Sequence, residues 1–245
     1  VEADILYRPQ EIIDILCAAK PSGFNTQAYH AITAGFILGA VVEAVTGESL
    51  NATLDRVIRQ PMGMKYFTFG NTGAERAVDV STGLPLKLVD LFLSYAVGGS
   101  IDEVVEVTND DRFQEATVPA GNLYATAEEA SRFFQMLLNG GELNGIRILT
   151  PVTVDLMTTD HIGDIPTGSV VQPGSAGFGL GFAIRADSEI GSEGAYYWSG
   201  FFNTTFWVDP TEELIGILMT QIFPSGSDIQ ERFRVMAYEA IVERE

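Results

Sequence analysis

The strongest constraint on the fold is a change in hydrophobic periodicity along the 245 residues. In the first two thirds the apolar residues recur at helical spacing, whereas the last third holds short β-rich segments and then one more helical segment. Consecutive strands after a run of helices are typical of an antiparallel sheet with helices packed on it, so we predict an α/β protein of the α+β type. The predicted strands are Phe178–Arg185, Ala195–Ser199, Thr204–Val208 and Leu214–Ile222.

Turn and cap residues delimit the elements of this last third. The run Asp209-Pro210-Thr211-Glu212 predicts a turn between the last two strands. The segment Leu214–Met219 is apolar on both faces except at Gly216, which is typical of a strand covered on both sides. Ser227 is expected to cap a final helix, whose apolar positions are Ile229, Phe233, Met236, Ala240 and Ile241.

The apolar run Ala31–Thr46 predicts a helix that is buried on most sides and ends at Gly47. Gly35 and Gly39 lie on one face of it, where they would permit the close approach of another helix. End signals predict further helices. These are Gln10–Ala19 before a stop at Pro21–Gly23, Ser49–Arg59, a helix from the capping box Thr126–Glu129 to Gly140, and one that starts at Thr150-Pro151.

The signals are weakest between Tyr66 and Val118, where Gly70–Gly83 reads as a loop and Leu84–Val97 is a candidate helix. We therefore predict one domain over residues 1–245, incomplete at its N-terminus. Its residues 20–150 are mainly helical, and its residues 175–245 form the sheet strands and a packing helix.

The net charge of −19, with only 3 lysines against 11 arginines, argues against two classes of partner. Binding a phosphate backbone or an anionic membrane requires clustered basic residues, so nucleic acid and such membranes are excluded as partners. The acidic excess has two readings, a solvated surface that favours solubility and an adaptation to salt. Cys17 is the only cysteine, so no intrachain disulfide is possible. Cysteine content therefore does not identify the cellular compartment.

Two short motifs carry candidate chemistry. The hydroxyl of Tyr29, in Tyr29-His30-Ala31, becomes a useful base only if a nearby ammonium stabilises its phenolate, and the alternative is an ordinary core tyrosine. Trp198-Ser199-Gly200 precedes Phe201, whose backbone N–H can point at a developing oxyanion, and the alternative is a strand end with a glycine bulge. His30, Trp198, Ser199 and Gly200 are the candidate substrate-binding residues.

Three segments in the same order resemble β-lactamase-like serine hydrolases: the class C β-lactamases, penicillin-binding proteins and related family VIII-type carboxylesterases. The segments are Tyr29–Gly47, Pro119–Ala127 and Trp198–Pro210. The resemblance implies a β-lactamase/transpeptidase-like fold, an antiparallel sheet flanked by helices plus a helical region. It also implies acyl-enzyme chemistry, in which Tyr29 shares base duty with a lysine and the Phe201 N–H forms half of the oxyanion hole.

The chain departs from this family at the nucleophile. The family's attacking serine lies in a Ser-x-x-Lys motif well upstream of the tyrosine, and no serine here has lysine three residues later. We therefore expect the nucleophile to lie outside this chain, in a missing N-terminal segment that also supplies the first sheet strands, so that the chain alone is inactive and has an open sheet edge.

Two further departures concern the substrate. Ala31 stands where lactamases and penicillin-binding proteins usually have Asn, and Trp198 stands where they have Lys or His. That cation meets the carboxylate of a lactam or a peptidoglycan peptide, which tryptophan cannot do. Trp198 therefore favours neutral esters.

Other reactive residues carry less weight. Cys17-Ala18-Ala19-Lys20 matches Cys-x-x-Lys but lies too close to Tyr29 to be the nucleophile, and His161 is expected on the surface. The histidines and the cysteine are too dispersed for a metal site, and neither metal nor cofactor is expected.

The leading hypothesis is a carboxylesterase that acts on small esters. The alternatives are β-lactamase or D-Ala-D-Ala peptidase activity by the same mechanism, and a non-catalytic binding domain. The expected partners are a small ester or lactam, and either the missing segment or a second copy of the chain.

Overall fold

The computed structural model describes residues 3–20, 29–71, 79–82, 100–163, 165, 175–185, 190–223 and 228–241. Contacts between residues divide the chain into two units. The helical unit comprises Val1–Phe24, His30–Thr126 and Gln221–Phe223, and the sheet unit comprises Asn25–Tyr29, Ala127–Thr220 and Pro224–Glu245. The prediction of a single domain over 1–245 stays a prediction.

The helical unit begins with a 3₁₀ turn, Ala3–Tyr7, and α1, Pro9–Ala18. After them come α2 (Ala31–Thr46), α3 (Leu50–Leu54) with a π turn at Asp55–Arg59, the strands β1 (Thr68–Phe69) and β2 (Ser81–Thr82), the helices α4 (Ile101–Asn109) and α5 (Asp111–Glu115), and β3 (Leu123–Tyr124). The predicted helices Gln10–Ala19 and Ala31–Thr46 are confirmed, whereas Ser49–Arg59 changes from α to π geometry after Leu54.

Helix α2 ends where its sequence predicts. Gly47 has a left-handed φ of 71°, a conformation that glycine adopts at little cost, and its N–H donates to the Glu43 carbonyl. Two residues later the Ser49 side chain accepts from the Ala52 N–H and caps α3.

The environment of α2 corrects two predictions. Gly35 and Gly39 permit the close approach of a loop, not of a helix: a Cβ on Gly35 would lie 2.3 Å from the Pro119 carbonyl oxygen. The prediction that the helix is buried on most sides is also wrong. Its buried face lies around Phe36, and apolar side chains on its other faces are exposed to solvent. Four of its large apolar side chains are exposed, Ile37, Leu38 (65%), Val41 and Val45 (80%).

The core of the helical unit forms on the inner side of that helix. Phe36 packs with Ile12 of α1, Phe113 of α5 and Val118, all of them buried. Within the described residues, no single helix is long and apolar enough to cross a bilayer; α2 and the helical segment after it reach that length only as a pair bent by 74°.

The sheet unit opens with α6 (Ala127–Leu138), the short strands β4 (Glu142–Leu143) and β5 (Ile146–Arg147), and α7 (Pro151–Thr158). Both helices begin where predicted, and the Thr150 side chain caps α7. Five strands and a helix follow. They are β6 (Ser175–Phe178), β7 (Ala183–Arg185), β8 (Tyr196–Ser199), β9 (Thr205–Asp209), β10 (Leu214–Leu218) and α8 (Asp228–Glu239).

The five strands form an antiparallel sheet in the order β10-β9-β8-β7-β6, so each strand pairs with its neighbour in sequence. The predicted antiparallel sheet is confirmed, and so is the turn after Asp209, whose carboxylate accepts from the Thr211 and Glu212 N–H groups.

Two strand predictions were wrong. Phe178–Arg185 is not one strand: Phe178 ends β6 and Ala183–Arg185 form β7. A tight turn joins them, in which the Gly179 N–H donates to the Phe182 carbonyl and Gly181 has a φ of 105°. The last predicted strand ends at Leu218, and Ile222–Phe223 forms a separate strand, β11, which belongs to the helical unit and pairs in parallel with β2.

Helices cover both faces of the sheet. On one face, Phe134 of α6 stacks on Phe206 at 4.0 Å between ring centroids. On the other, Phe233 of α8 meets Trp207 edge to face at 5.3 Å. Trp207 lies across Gly216 of the neighbouring strand, where a Cβ would be 2.1 Å from the indole, so the glycine makes room for the ring.

The predicted apolar face of α8 was partly wrong. Phe233, Ala237 and Tyr238 pack on the sheet, whereas Ile229 and Met236 are exposed. Of the other predictions, the helix Leu84–Val97, the stop at Pro21–Gly23 and the cap at Ser227 lie outside the described residues.

Candidate functional site

The turn between β8 and β9 positions most of the candidate residues. Trp198 and Ser199 are the last residues of β8, and Gly200 and Phe201 open the turn that leads to β9. Trp198 pairs with Phe206 and Ser199 with Thr205, so the antiparallel register determines which side chains lie next to the motif.

Tyr29 and Trp198 are brought together within the sheet unit, although they are far apart in sequence. Their ring centroids lie 4.8 Å apart with planes tilted by 52°. Phe178 of β6 meets the same indole edge to face at 5.4 Å. The tyrosine therefore belongs to an aromatic cluster with Trp198 at its centre.

Two opposing influences act on the Tyr29 hydroxyl. Partial burial raises the pKa of Tyr29 above its ordinary value, because a phenolate is poorly solvated there. A hydrogen bond from the Trp198 indole N–H acts in the opposite direction and lowers that pKa, since the donor stabilises the phenolate. Burial prevails, so the hydroxyl is less acidic than an exposed tyrosine.

The hydroxyl of Ser199 is already engaged in hydrogen bonds. It lies 2.9 Å from the Thr205 hydroxyl and donates to the Gln230 side-chain oxygen at 3.2 Å. Thr205 in turn donates to the Trp198 carbonyl. Ser199 thus contributes to the stability of the strand end.

Gly200 and Phe201 start the turn. The Gly200 N–H donates to the Thr204 carbonyl at 2.7 Å. A Cβ on Gly200 would lie 2.3 Å from the Thr204 hydroxyl, so a larger residue would displace that hydroxyl. The Phe201 ring is 40% exposed and meets Phe202 edge to face at 5.3 Å. The role of the Phe201 backbone N–H as a hydrogen-bond donor to the oxyanion stays a prediction.

The remaining candidates lie elsewhere. His30 is exposed at the N-terminus of α2, belongs to the helical unit and makes no capping hydrogen bond, and its role in lining the site stays a prediction. His161 is exposed, as predicted, and Cys17 is exposed on α1. Among the residues that the structure describes, no three His, Cys, Asp or Glu side chains are placed to hold a metal ion.

Sequence reasoning missed several residues that shape this site: Phe178, Asn203, Thr205, Thr220 and Gln230. Phe178 was read only as the start of a strand, and Gln230 lay in the predicted final helix with no role assigned to it. Phe178, Thr205 and Gln230 contact Trp198 or Ser199 through strand pairing or helix packing, so no local pattern identifies them. Asn203 lies in the turn itself, and Thr220 contacts the Phe202 and Asn203 carbonyls.

Comparisons with known proteins agree with this architecture. A family model described as Beta-lactamase matches residues 2–240. Protein Rv1367c of Mycobacterium tuberculosis is 33% identical over 216 residues, which are 81% of this chain and 49% of that protein. Esterase/beta-lactamase LipL of the same organism is 23% identical over 205 residues, 75% of this chain and 48% of LipL.

Among solved structures, a family VIII carboxylesterase superposes with a TM-score of 0.75 at 23% identity, over 98% of this chain and 65% of that one. This likeness shows a shared fold. The chain spans about half the length of the curated relatives that it matches.

Proposed function

The chain belongs to the β-lactamase family, and from this premise we propose that it supplies the base and half of the oxyanion hole of a serine hydrolase acting on small carboxylic esters. The observation that carries the proposal is the contact between Tyr29 and Trp198. The indole supplies a hydrogen-bond donor to the tyrosine, as a base needs, and it supplies no cation for a substrate carboxylate.

The nucleophile in this proposal comes from a Ser-x-x-Lys segment that these 245 residues do not contain. The activity therefore belongs to the complete gene product. The hydroxyls near the site do not replace that serine, since Ser199 and Thr205 are hydrogen-bonded to each other and Ser199 donates to Gln230.

The proposed reaction has two halves. Tyr29, sharing base duty with the lysine of that Ser-x-x-Lys segment, takes the proton of the serine hydroxyl while the serine oxygen attacks the ester carbonyl, and the Phe201 N–H donates to the resulting oxyanion. Collapse of the tetrahedral intermediate breaks the bond to the alcohol, which leaves with the proton from Tyr29. Water then attacks the acyl-enzyme while Tyr29 accepts its proton. Collapse of this second tetrahedral intermediate breaks the bond between the acyl carbon and the serine oxygen, which takes the proton back from Tyr29, and the carboxylic acid is released.

The aromatic cluster supports esters over lactams as substrates. Trp198 and Phe178 present apolar surface beside Tyr29, which suits an uncharged acyl or alkoxy group. The names of LipL and of the carboxylesterase neighbour agree with an ester substrate. The name of LipL also includes β-lactamase, so lactam hydrolysis by the same mechanism is the second candidate.

The test uses the complete gene product and three reagents: a fluorophosphonate probe, a short-chain p-nitrophenyl ester and a chromogenic cephalosporin. Covalent labelling together with a higher kcat/KM for the ester is the expected result. A higher kcat/KM for the lactam would instead support the second candidate. If the probe does not label the protein, a serine hydrolase is ruled out and a binding role remains.

A further inference from the structure

One side chain of α8 holds both ends of the turn between β8 and β9. The Gln230 side-chain oxygen accepts from the Ser199 hydroxyl at 3.2 Å, and its side-chain nitrogen donates to the Asn203 side-chain oxygen at 3.2 Å. Ser199 is the last residue of β8 and Asn203 lies near the end of the turn. A single amide therefore bridges the residues that flank Gly200, Phe201 and Phe202.

The turn itself has a conformation that depends on such support. Asn203 has a left-handed φ of 64°, which is uncommon for residues other than glycine. The Thr220 hydroxyl contacts the Phe202 and Asn203 carbonyls at 3.1 and 3.0 Å from one side, and Gln230 contacts the Asn203 side chain. Both contacts limit rotation of the peptide units between them.

We infer that Gln230 is a positioning residue for the oxyanion hole, because its bridge from Ser199 to Asn203 orients the Phe201 N–H toward the developing oxyanion. The inference rests on the proposed function. The role requires an amide, which accepts and donates at once. Methionine has a similar length and does neither, so Gln230→Met removes the bridge and keeps the packing volume.

The first experiment compares Gln230→Met with a matched control in the complete gene product. The control is Gln135→Met: Gln135 also lies on a helix and donates to an asparagine oxygen, that of Asn139, at 2.9 Å. With a p-nitrophenyl ester, Gln230→Met should lower kcat by about ten- to a hundredfold with KM nearly unchanged, because only the transition state loses stabilisation. The control should keep both constants.

A transition-state mimic gives a second readout that a purely structural role would not change. The serine adduct of a trifluoromethyl ketone bears an oxyanion, so Gln230→Met should weaken its inhibition by the same factor as kcat/KM. Equal inhibition of Gln230→Met and the wild type would overturn the inference.

A double-mutant cycle tests the route through Asn203. Asn203→Gly removes the side-chain amide, and glycine adopts the positive φ without strain. If both residues act through one bridge, the double variant is no slower than the slower single variant, whereas independent effects would multiply. Asn203→Gly also provides the test if Gln230→Met does not fold.

A failure of the proposed function can be distinguished from a failure of the positioning role of Gln230. A wild-type protein that neither reacts with the fluorophosphonate nor hydrolyses esters overturns the proposed function and this inference together. An active wild type with an unchanged kcat in Gln230→Met, or with multiplying effects in the cycle, overturns the positioning role alone.

Discussion

Tyr29 shows how a single side chain acquires its properties from its neighbours. Tyr29→Phe removes the hydroxyl and keeps the ring against Trp198. In the complete gene product we expect acylation to slow by about a hundredfold or more, as for the loss of a general base. Stopped-flow measurement of the acylation phase checks this, with Tyr66→Phe as control, since that hydroxyl accepts from Lys65 in the helical unit. An unchanged acylation rate would remove Tyr29 from the mechanism.

The effect of the Trp198 indole N–H on the pKa of Tyr29 can be tested separately from the Tyr29 hydroxyl itself. Trp198→Phe keeps an aromatic ring and removes the donor that lowers the pKa of Tyr29, so this pKa should rise further above its ordinary value. Because the base acts as phenolate, less of it is available at neutral pH, and the limb of the pH profile governed by Tyr29 should move to higher pH. A kcat/KM profile extended to about pH 11 tests this, because the pKa of Tyr29 already lies above its ordinary value; a limb at the wild-type position would contradict it.

At the scale of elements, Asp209 joins a hairpin turn to α8. Its fully buried carboxylate accepts from the Ser192, Thr211 and Glu212 N–H groups and, at 2.7 Å, from the Tyr238 hydroxyl. Burial alone would raise the pKa of Asp209, but the hydrogen bonds, that from Tyr238 foremost, hold it below its ordinary value.

Tyr238→Phe should therefore destabilise the fold by about 1.5–3 kcal/mol at pH 7, the range for a hydrogen bond to a charged group. A lowered carboxyl pKa contributes stability above the unfolded pKa of about 4 and loses it as pH falls through the folded value. The difference between wild type and variant should hence shrink below about pH 4. Urea unfolding at several pH values tests this, and a difference independent of pH would contradict it.

The residues at which helices begin and end were largely predictable from the sequence. The elements that pack against each helix were not. Thr150, Ser49 and Gly47 act within four residues of themselves, so their patterns were sufficient. The capping box of Ser100 and Glu103 at the start of α4 follows the same local rule and was overlooked in an acidic stretch. The exposed side of α2 carried no local signal, because burial depends on which elements pack against the helix.

At the scale of the whole molecule, the net charge of −19 is the main electrostatic feature that bears on the stability of the folded state. Surface ion pairs such as Arg56–Glu48 and Arg112–Asp110 contribute little to stability. Repulsion among carboxylates should destabilise the folded state at low ionic strength, and salt should screen it.

We expect the thermal midpoint of the chain to rise by a few degrees between about 10 and 300 mM NaCl, roughly the shift that 1 kcal/mol produces in a domain of this size. Calorimetry with an uncharged solute at equal osmolality is the control. A midpoint that falls with salt would mean that attractive ion pairs outweigh the repulsion, and would argue against adaptation to salt.

The sequence by itself determined the change from helices to a sheet in the last third, most of the predicted helix ends, the antiparallel pairing and the family. These follow from caps, turns, periodicity and short motifs, which act over a few residues. Only the tertiary structure decided that Trp198 lies on Tyr29, that Gln230 reaches the β8–β9 turn from 31 residues beyond Ser199, and that Gly216 accommodates Trp207. The physical reason is that a side chain far away in sequence becomes a neighbour only through strand register and helix packing, and no local preference encodes either.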